Sequence, residues 1–174
     1  HCPPTVVKAA QQQLEQLIHF PGILLSQNLE GQLAEELNAI VPGNFTKKTY
    51  FSCTGCNAID TAIKVARWST GRPRNIAFHG AFHGKSIGAL SLTASKTNYR
   101  KGFMPEMPGV LHVPYAYCYR CPYKMEYPSC DVYCAKYLEE QVLGHFIPPE
   151  EVAALFVEPI QGEGGYIVPP KQWH

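Results

Sequence analysis

The chain has 174 residues, enough for one domain with its own core, and 45% of them are hydrophobic, which excludes a disordered or collagen-like chain. Fifteen basic residues against fourteen acidic ones leave a formal net charge of +1, so charge gives no reason to expect nucleic acid or a charged membrane surface as partner. No apolar run approaches the length of a membrane span, and no signal peptide is visible at the start.

In chain order, Pro3-Pro4 suits a helix opening. Val6, Val7, Ala10, Leu14 and Leu17 follow at helical spacing until Phe20-Pro21-Gly22. Leu29, Leu33, Leu37 and Ile40 predict a second helix that Pro42-Gly43 stops. From there strand and helix alternate. Strands are predicted over Thr49–Ser52, Asn75–Phe78, Val110–Val113 and Ala153–Val157, and helices over Asn57–Ser69, Ser86–Ser95 and Cys134–Leu143. The alternation predicts an α/β domain with a mostly parallel sheet, whose ligands sit beyond the carboxyl ends of the strands. Candidate motifs fall there three times: after Ser52, after Phe78 and after Val157.

The first motif is Thr54-Gly55-Cys56-Asn57-Ala58-Ile59-Asp60. A glycine turn opening a helix directs free N–H groups at one point and suits a phosphate. An ordinary turn capped by Asn57 or Asp60 explains the same residues. The second is Gly80-Ala81-Phe82-His83-Gly84-Lys85-Ser86. Its glycines stand too close together for the G-x-x-x-x-G-K-[ST] phosphate loop, so that reading fails. Phe82 can stack on a flat heteroaromatic ring or simply pack in the core. The third is Val157-Glu158-Pro159-Ile160-Gln161-Gly162-Glu163-Gly164-Gly165, where two carboxylates in a glycine-bearing loop can orient an amine or form a solvated acidic turn.

Of seven cysteines, Cys118, Cys121, Cys130 and Cys134 form a cluster spaced C-x2-C-x8-C-x3-C. Four thiolates at such spacing suit a structural, tetrahedral zinc, and free thiols or disulfides suit the same spacing. His79 and His83 are flanked by glycines, which argues against a helix presenting both to a metal. Asn44-Phe45-Thr46 matches a glycosylation acceptor, but nothing in the sequence indicates secretion.

Taken together, the loop motifs resemble the class III aminotransferases, the pyridoxal phosphate (PLP) enzymes that include 4-aminobutyrate and acetylornithine aminotransferases. Thr54–Asp60 with Ala62-Ile63-Lys64-Val65-Ala66-Arg67 resembles the family's S-G-[ST]-E-A-N-E-x-A-[IL]-K-x-A-R. Phe82-His83-Gly84-Lys85-Ser86-Ile87-Gly88-Ala89-Leu90-Ser91 resembles [YF]-H-G-[RK]-[TS]-x-G-A-L-S. Val157–Gly165 reproduces V-E-P-[IV]-Q-G-E-G-G, and His1-Cys2-Pro3-Pro4 resembles the end of a G-H-x-H-P segment. Order and spacing match over nearly the whole chain. The resemblance implies that residues 1–174 are an incomplete large domain of a fold-type I PLP enzyme, interrupted by a Cys-rich insertion over 115–134.

It also implies roles. Gly55 and Cys56 hold the PLP phosphate through backbone N–H groups, Phe82 stacks on the pyridine ring, and His83 supports that turn. Glu158 sits near the ring and the reacting amine. Glu163 is the carboxylate that pairs with an arginine and swings to admit different substrates. Partners are an amino donor, with 4-aminobutyrate or another ω-amino acid first, a 2-oxo acid acceptor and a second copy in a homodimer, in the cytoplasm. An amino-acid racemase of the same family is the alternative, and a zinc-stabilised binding module or a non-catalytic remnant the alternatives of another class. Cys56 departs from the family's usual hydroxyl or small residue, Asn57 from its Glu, and the Cys-rich insertion from most members. The family's Asp in D-E-V-Q and its later Schiff-base lysine match nothing here, none of the ten lysines standing in that context. With neither end reading as a natural terminus, the chain is expected to be a fragment, inactive alone.

Overall fold

The computed structural model describes residues 1–22 and 27–174. They form two compact units, His1–Phe51 and Ser52–His174. The first unit carries two helices. Helix α1 (Pro4–Gln16) opens on Pro4, whose missing N–H costs nothing in a first turn. Helix α2 (Asn28–Ile40) ends just before Pro42-Gly43. Asn38 ties the following segment back to α2, its Oδ1 accepting the Thr49 hydroxyl at 2.9 Å. The expected strand over Thr49–Ser52 does not form. An extended segment becomes a strand only when a neighbour accepts its ladder, and among the described residues none pairs with it. Tyr50 and Phe51 remain exposed.

The second unit is built on a three-stranded, all-parallel sheet. Its strands are β1 (Arg74–Phe78), β2 (Val110–Val113) and β3 (Val152–Leu155), in the order β2-β1-β3. Ile76 pairs with Leu111 on one side and Leu155 on the other. Parallel neighbours need long crossovers. Helices α4 (Ile87–Leu92) and α5 (Thr97–Arg100) lie between β1 and β2, and α6 (Tyr133–Tyr137) lies between β2 and β3.

Helix α3 (Gly55–Thr70) precedes the sheet. Thr54 caps it, its hydroxyl oxygen accepting the Asn57 N–H at 3.2 Å, and Gly71 closes it at φ +69°, a conformation that costs glycine little. The helix expected over Ser86–Ser95 is shorter, because Ser86 serves as its cap and Thr93 leaves it in an extended conformation. The one expected over Cys134–Leu143 starts as α6 and continues from Leu138 to Phe146 as π-helical turns.

Strand β1 is buried on both faces, as the middle of a parallel sheet requires. Ile76 and Phe78 join Val113, Val142, Ile147 and Val152 on one side, while Ala77 meets Ile63 of α3 and Leu92 of α4 on the other. Near the chain's end, Trp173 lays its ring against Phe78 and Tyr115, with centroids 5.2 and 4.6 Å apart. Ile76 is completely buried. We expect I76A to destabilise the second unit by about 2–5 kcal/mol, read as a lower urea midpoint, because truncation removes apolar contact and leaves a cavity.

Candidate functional site

The loops leaving β1 and β3 meet at the carboxyl edge of the sheet, and the start of α3 reaches the first of them. The Glu158 carboxylate joins the two loops. One oxygen accepts the Phe82 N–H at 2.9 Å and the other the Gly162 N–H at 3.0 Å. The Glu158 carbonyl is held from behind by the Tyr115 hydroxyl at 2.8 Å. Burial, reinforced by the Glu158 charge, pushes the Tyr115 phenol up to about 12.

The loop after β1 turns on Gly80 (φ +82°) and Gly84 (φ +136°), where glycine alone is unstrained. Fully buried Thr93 organises it. Its hydroxyl oxygen accepts the N–H groups of His83 and Gly84 at 2.9 and 3.3 Å, and its O–H faces the Gly84 carbonyl at 3.0 Å. Gln161, also buried, donates from Nε2 to the His79 carbonyl at 2.9 Å. A Cβ on Gly80 or Gly164 would come within 2.7 or 2.5 Å of the Gln161 side-chain oxygen, so both glycines make room for that amide.

At the start of α3, the N–H groups of Gly55 and Cys56 lie in the first turn, where no helical acceptor exists. The Cys56 thiol turns toward the β1 loop and accepts the Lys85 N–H at 3.2 Å. That bond, with a further one from the Ser86 N–H, pulls the Cys56 thiol below its ordinary range. A Cβ on Gly84 would lie 2.7 Å from this sulfur, so thiol and glycine are matched in space.

Phe82 is half-buried and meets Tyr99 edge-on at 5.4 Å. His83 packs against Phe156, and its Nε2 is buried with no acceptor or donor among the described residues. Burial pulls the His83 imidazole down, with the Glu158 charge opposing it. Glu163 is held by Lys96 Nζ at 2.8 Å and the Tyr99 hydroxyl at 3.4 Å, and Lys96 draws its carboxyl below the usual range. Lys96 is thus its charged partner among the described residues.

The structure therefore brings Phe82, His83 and Glu158 together, with Cys56 touching the same loop. Both Glu158 carboxylate oxygens accept backbone N–H groups, so it acts as a clamp between loops. Sequence reasoning missed Thr93, which ends an apolar run, and Tyr115, one of ten tyrosines. Gln161 lies in the third motif, where the glycines around it are the signal that sequence offers for its role.

The zinc expectation finds no support in the structure. Cys118, Cys121, Cys130 and Cys134 line one narrow cleft and all are free thiols. Among the described residues, no group of three or more His, Cys, Asp or Glu stands together as a metal requires. Tyr123, Tyr133 and Tyr137 pack ring to ring there, at 5.0–6.3 Å between centroids. No described helix is long and apolar enough to cross a membrane.

The family model described as aminotransferase class-III matches residues 1–174. An alanine/serine racemase of Pyrococcus horikoshii is 38% identical over 174 residues, covering 98% of this chain and 36% of the relative. A probable 4-aminobutyrate aminotransferase of Bacillus subtilis is 36% identical, covering 99% and 39%. The crystal structure of an amine transaminase from an uncultivated Pseudomonas species, in a PLP-bound form, superposes with a TM-score of 0.86 at 29% identity, covering 99% of this chain and 40% of that one. The chain thus spans about two fifths of the length of these relatives.

The two half-buried histidines, His83 and His112, predict a pH dependence. Burial lowers both His83 and His112, so the folded chain holds fewer protons than the unfolded chain as pH falls past the ordinary histidine range. Stability should be full above about pH 6.5 and decline below it. Urea midpoints measured across that range should show the decline, and H83Q should make it shallower.

Proposed function

The chain belongs to the class-III aminotransferases, and from that premise we propose that the whole protein is a PLP-dependent transaminase. It moves an amino group from an ω-amino acid such as 4-aminobutyrate, or a related amine, to a 2-oxo acid. The observation that carries the reading is the convergence of three elements on one edge of the sheet: the free N–H groups of Gly55 and Cys56, the Phe82 loop and the Glu158 loop.

The residues fit PLP. A Cβ added at Gly55 would meet nothing within 4 Å, so backbone and phosphate can approach closely at the helix start, where the dipole favours an anion. Cys56 adds its N–H there, while its thiol supports the Lys85 turn. Phe82 offers a ring face for the pyridine, held in place by the Glu158 clamp and the Thr93 hub beneath it. His83, neutral through burial, backs that turn without adding charge. Bound PLP supplies the electron sink for chemistry at the amine-bearing carbon. Glu163, released from Lys96, is a carboxylate available to an incoming substrate. A cytoplasmic homodimer belongs to the same reading, on the strength of the family resemblance.

A second reading has a specific support: the racemase relative at 38% identity. The whole protein separates the two. With PLP, 4-aminobutyrate and 2-oxoglutarate, a transaminase forms glutamate. D-alanine formed from L-alanine without any 2-oxo acid would replace the transaminase reading with the racemase one. In the same protein, F82A should weaken PLP binding by up to about tenfold, measured by absorbance titration. Unchanged affinity would remove Phe82 from the cofactor site.

A further inference from the structure

Cys118 and Cys121 bracket a single 3-10 turn, Cys118–Arg120, closed by the Arg120 N–H donating to the Tyr117 carbonyl at 3.1 Å. On such a turn, side chains three residues apart eclipse one another. A rise of about 2 Å per residue sets the two Cα atoms about 6 Å apart, near the separation that a disulfide prefers. Both side chains line the same cleft. Cys118 is exposed and Cys121 half-buried, which pairs a reachable sulfur with a sheltered neighbour.

The cleft favours pairing over charge. Its lining is tyrosine, proline, methionine, valine, alanine and cysteine, with no cation to stabilise a thiolate. The Tyr123 hydroxyl is buried beside it without a partner among the described residues. Burial pushes the Cys118 thiol up, and the Cys130 and Cys121 sulfurs push it further. A dithiol whose thiolates are poorly stabilised gives up little on oxidation, the converse of strongly oxidising disulfides, whose reduced forms are stabilised. The backbone nearby is already strained, with Asp131 and Val132 at φ +47° and +53°, a conformation costly for a β-branched residue.

We propose that Cys118 and Cys121 form a redox-active dithiol, oxidised to an intramolecular disulfide by small-molecule disulfides of the glutathione type. The Cys118 thiolate attacks one sulfur of the oxidant. The oxidant's S–S bond breaks, and its second half leaves with the electron pair and takes up a proton. The Cys121 thiolate then attacks Cys118 in the mixed disulfide and expels the second thiol. Two protein thiols lose two electrons in all, and one small disulfide becomes two thiols. Arg120, between the cysteines, faces a cleft shared with His79, Gly80, Gln161 and Gly164. Closing the disulfide therefore fixes the turn that carries this cation beside the loops Gln161 joins.

The test uses the whole protein, incubated with oxidised glutathione and then alkylated. Titratable thiols should fall by two, and a tryptic map should join the peptide Gly102–Arg120 to Cys121–Lys124, reversibly with dithiothreitol. C121S should stop at a glutathione adduct on Cys118, and C118S should form neither product at this turn. The double variant C130S/C134S should keep the link, which separates chemistry at the turn from collapse of the insertion. A stable adduct on wild-type Cys118, a link from Cys118 to Cys130 or Cys134, or one equivalent of bound zinc protecting all four thiols would each overturn the proposal.

Discussion

Strand β1 is paired on both sides with strands running in its own direction, and this constraint governs the second unit. Parallel pairing sends every chain exit to one edge of the sheet and every return across a face. The loops after Phe78 and after Leu155 therefore emerge side by side although some eighty residues separate them. Burial of β1 on both faces fixes the height at which they emerge. Once the sheet is set, Glu158 needs only its own side chain to reach the Phe82 backbone.

The polar groups at that edge are committed chiefly to one another. Thr93, Gln161 and Glu158 use their hydrogen-bonding atoms on backbone groups of glycine-bearing loops that no ladder satisfies. Buried backbone N–H groups without partners are costly, so each of these contacts removes a penalty as well as adding an attraction. The exceptions are informative. His83 Nε2 and the Gln161 side-chain oxygen stand without partners among the described residues, and the Gly55 and Cys56 N–H groups lie in a first turn that offers no helical acceptor. They belong to the same part of the second unit where the family's cofactor is expected.

Much of this was legible in the residues. Helical periodicity marked α1 and α2 to within a few residues, and short apolar runs marked all three strands. The exception was Thr49–Ser52, whose composition suits a strand but which has no neighbour to pair with among the described residues; pairing is a tertiary fact that no local pattern carries. The motif order identified the family from loops alone. Long-range polar contacts were the illegible part. Nothing local distinguishes Thr93 from other threonines, or Tyr115 from other tyrosines, because each role comes from a partner across the fold. The cysteine spacing suggested a metal through arithmetic, and among the described residues no metal-holding group stands together.

The Tyr115 hydroxyl has a consequence for how the clamp tolerates its medium. A phenol with its proton held to about 12 remains a donor throughout the range in which proteins stay folded. The acceptor it serves is a carbonyl, which does not ionise. The rear anchor of the Glu158 loop is thus indifferent to acidity.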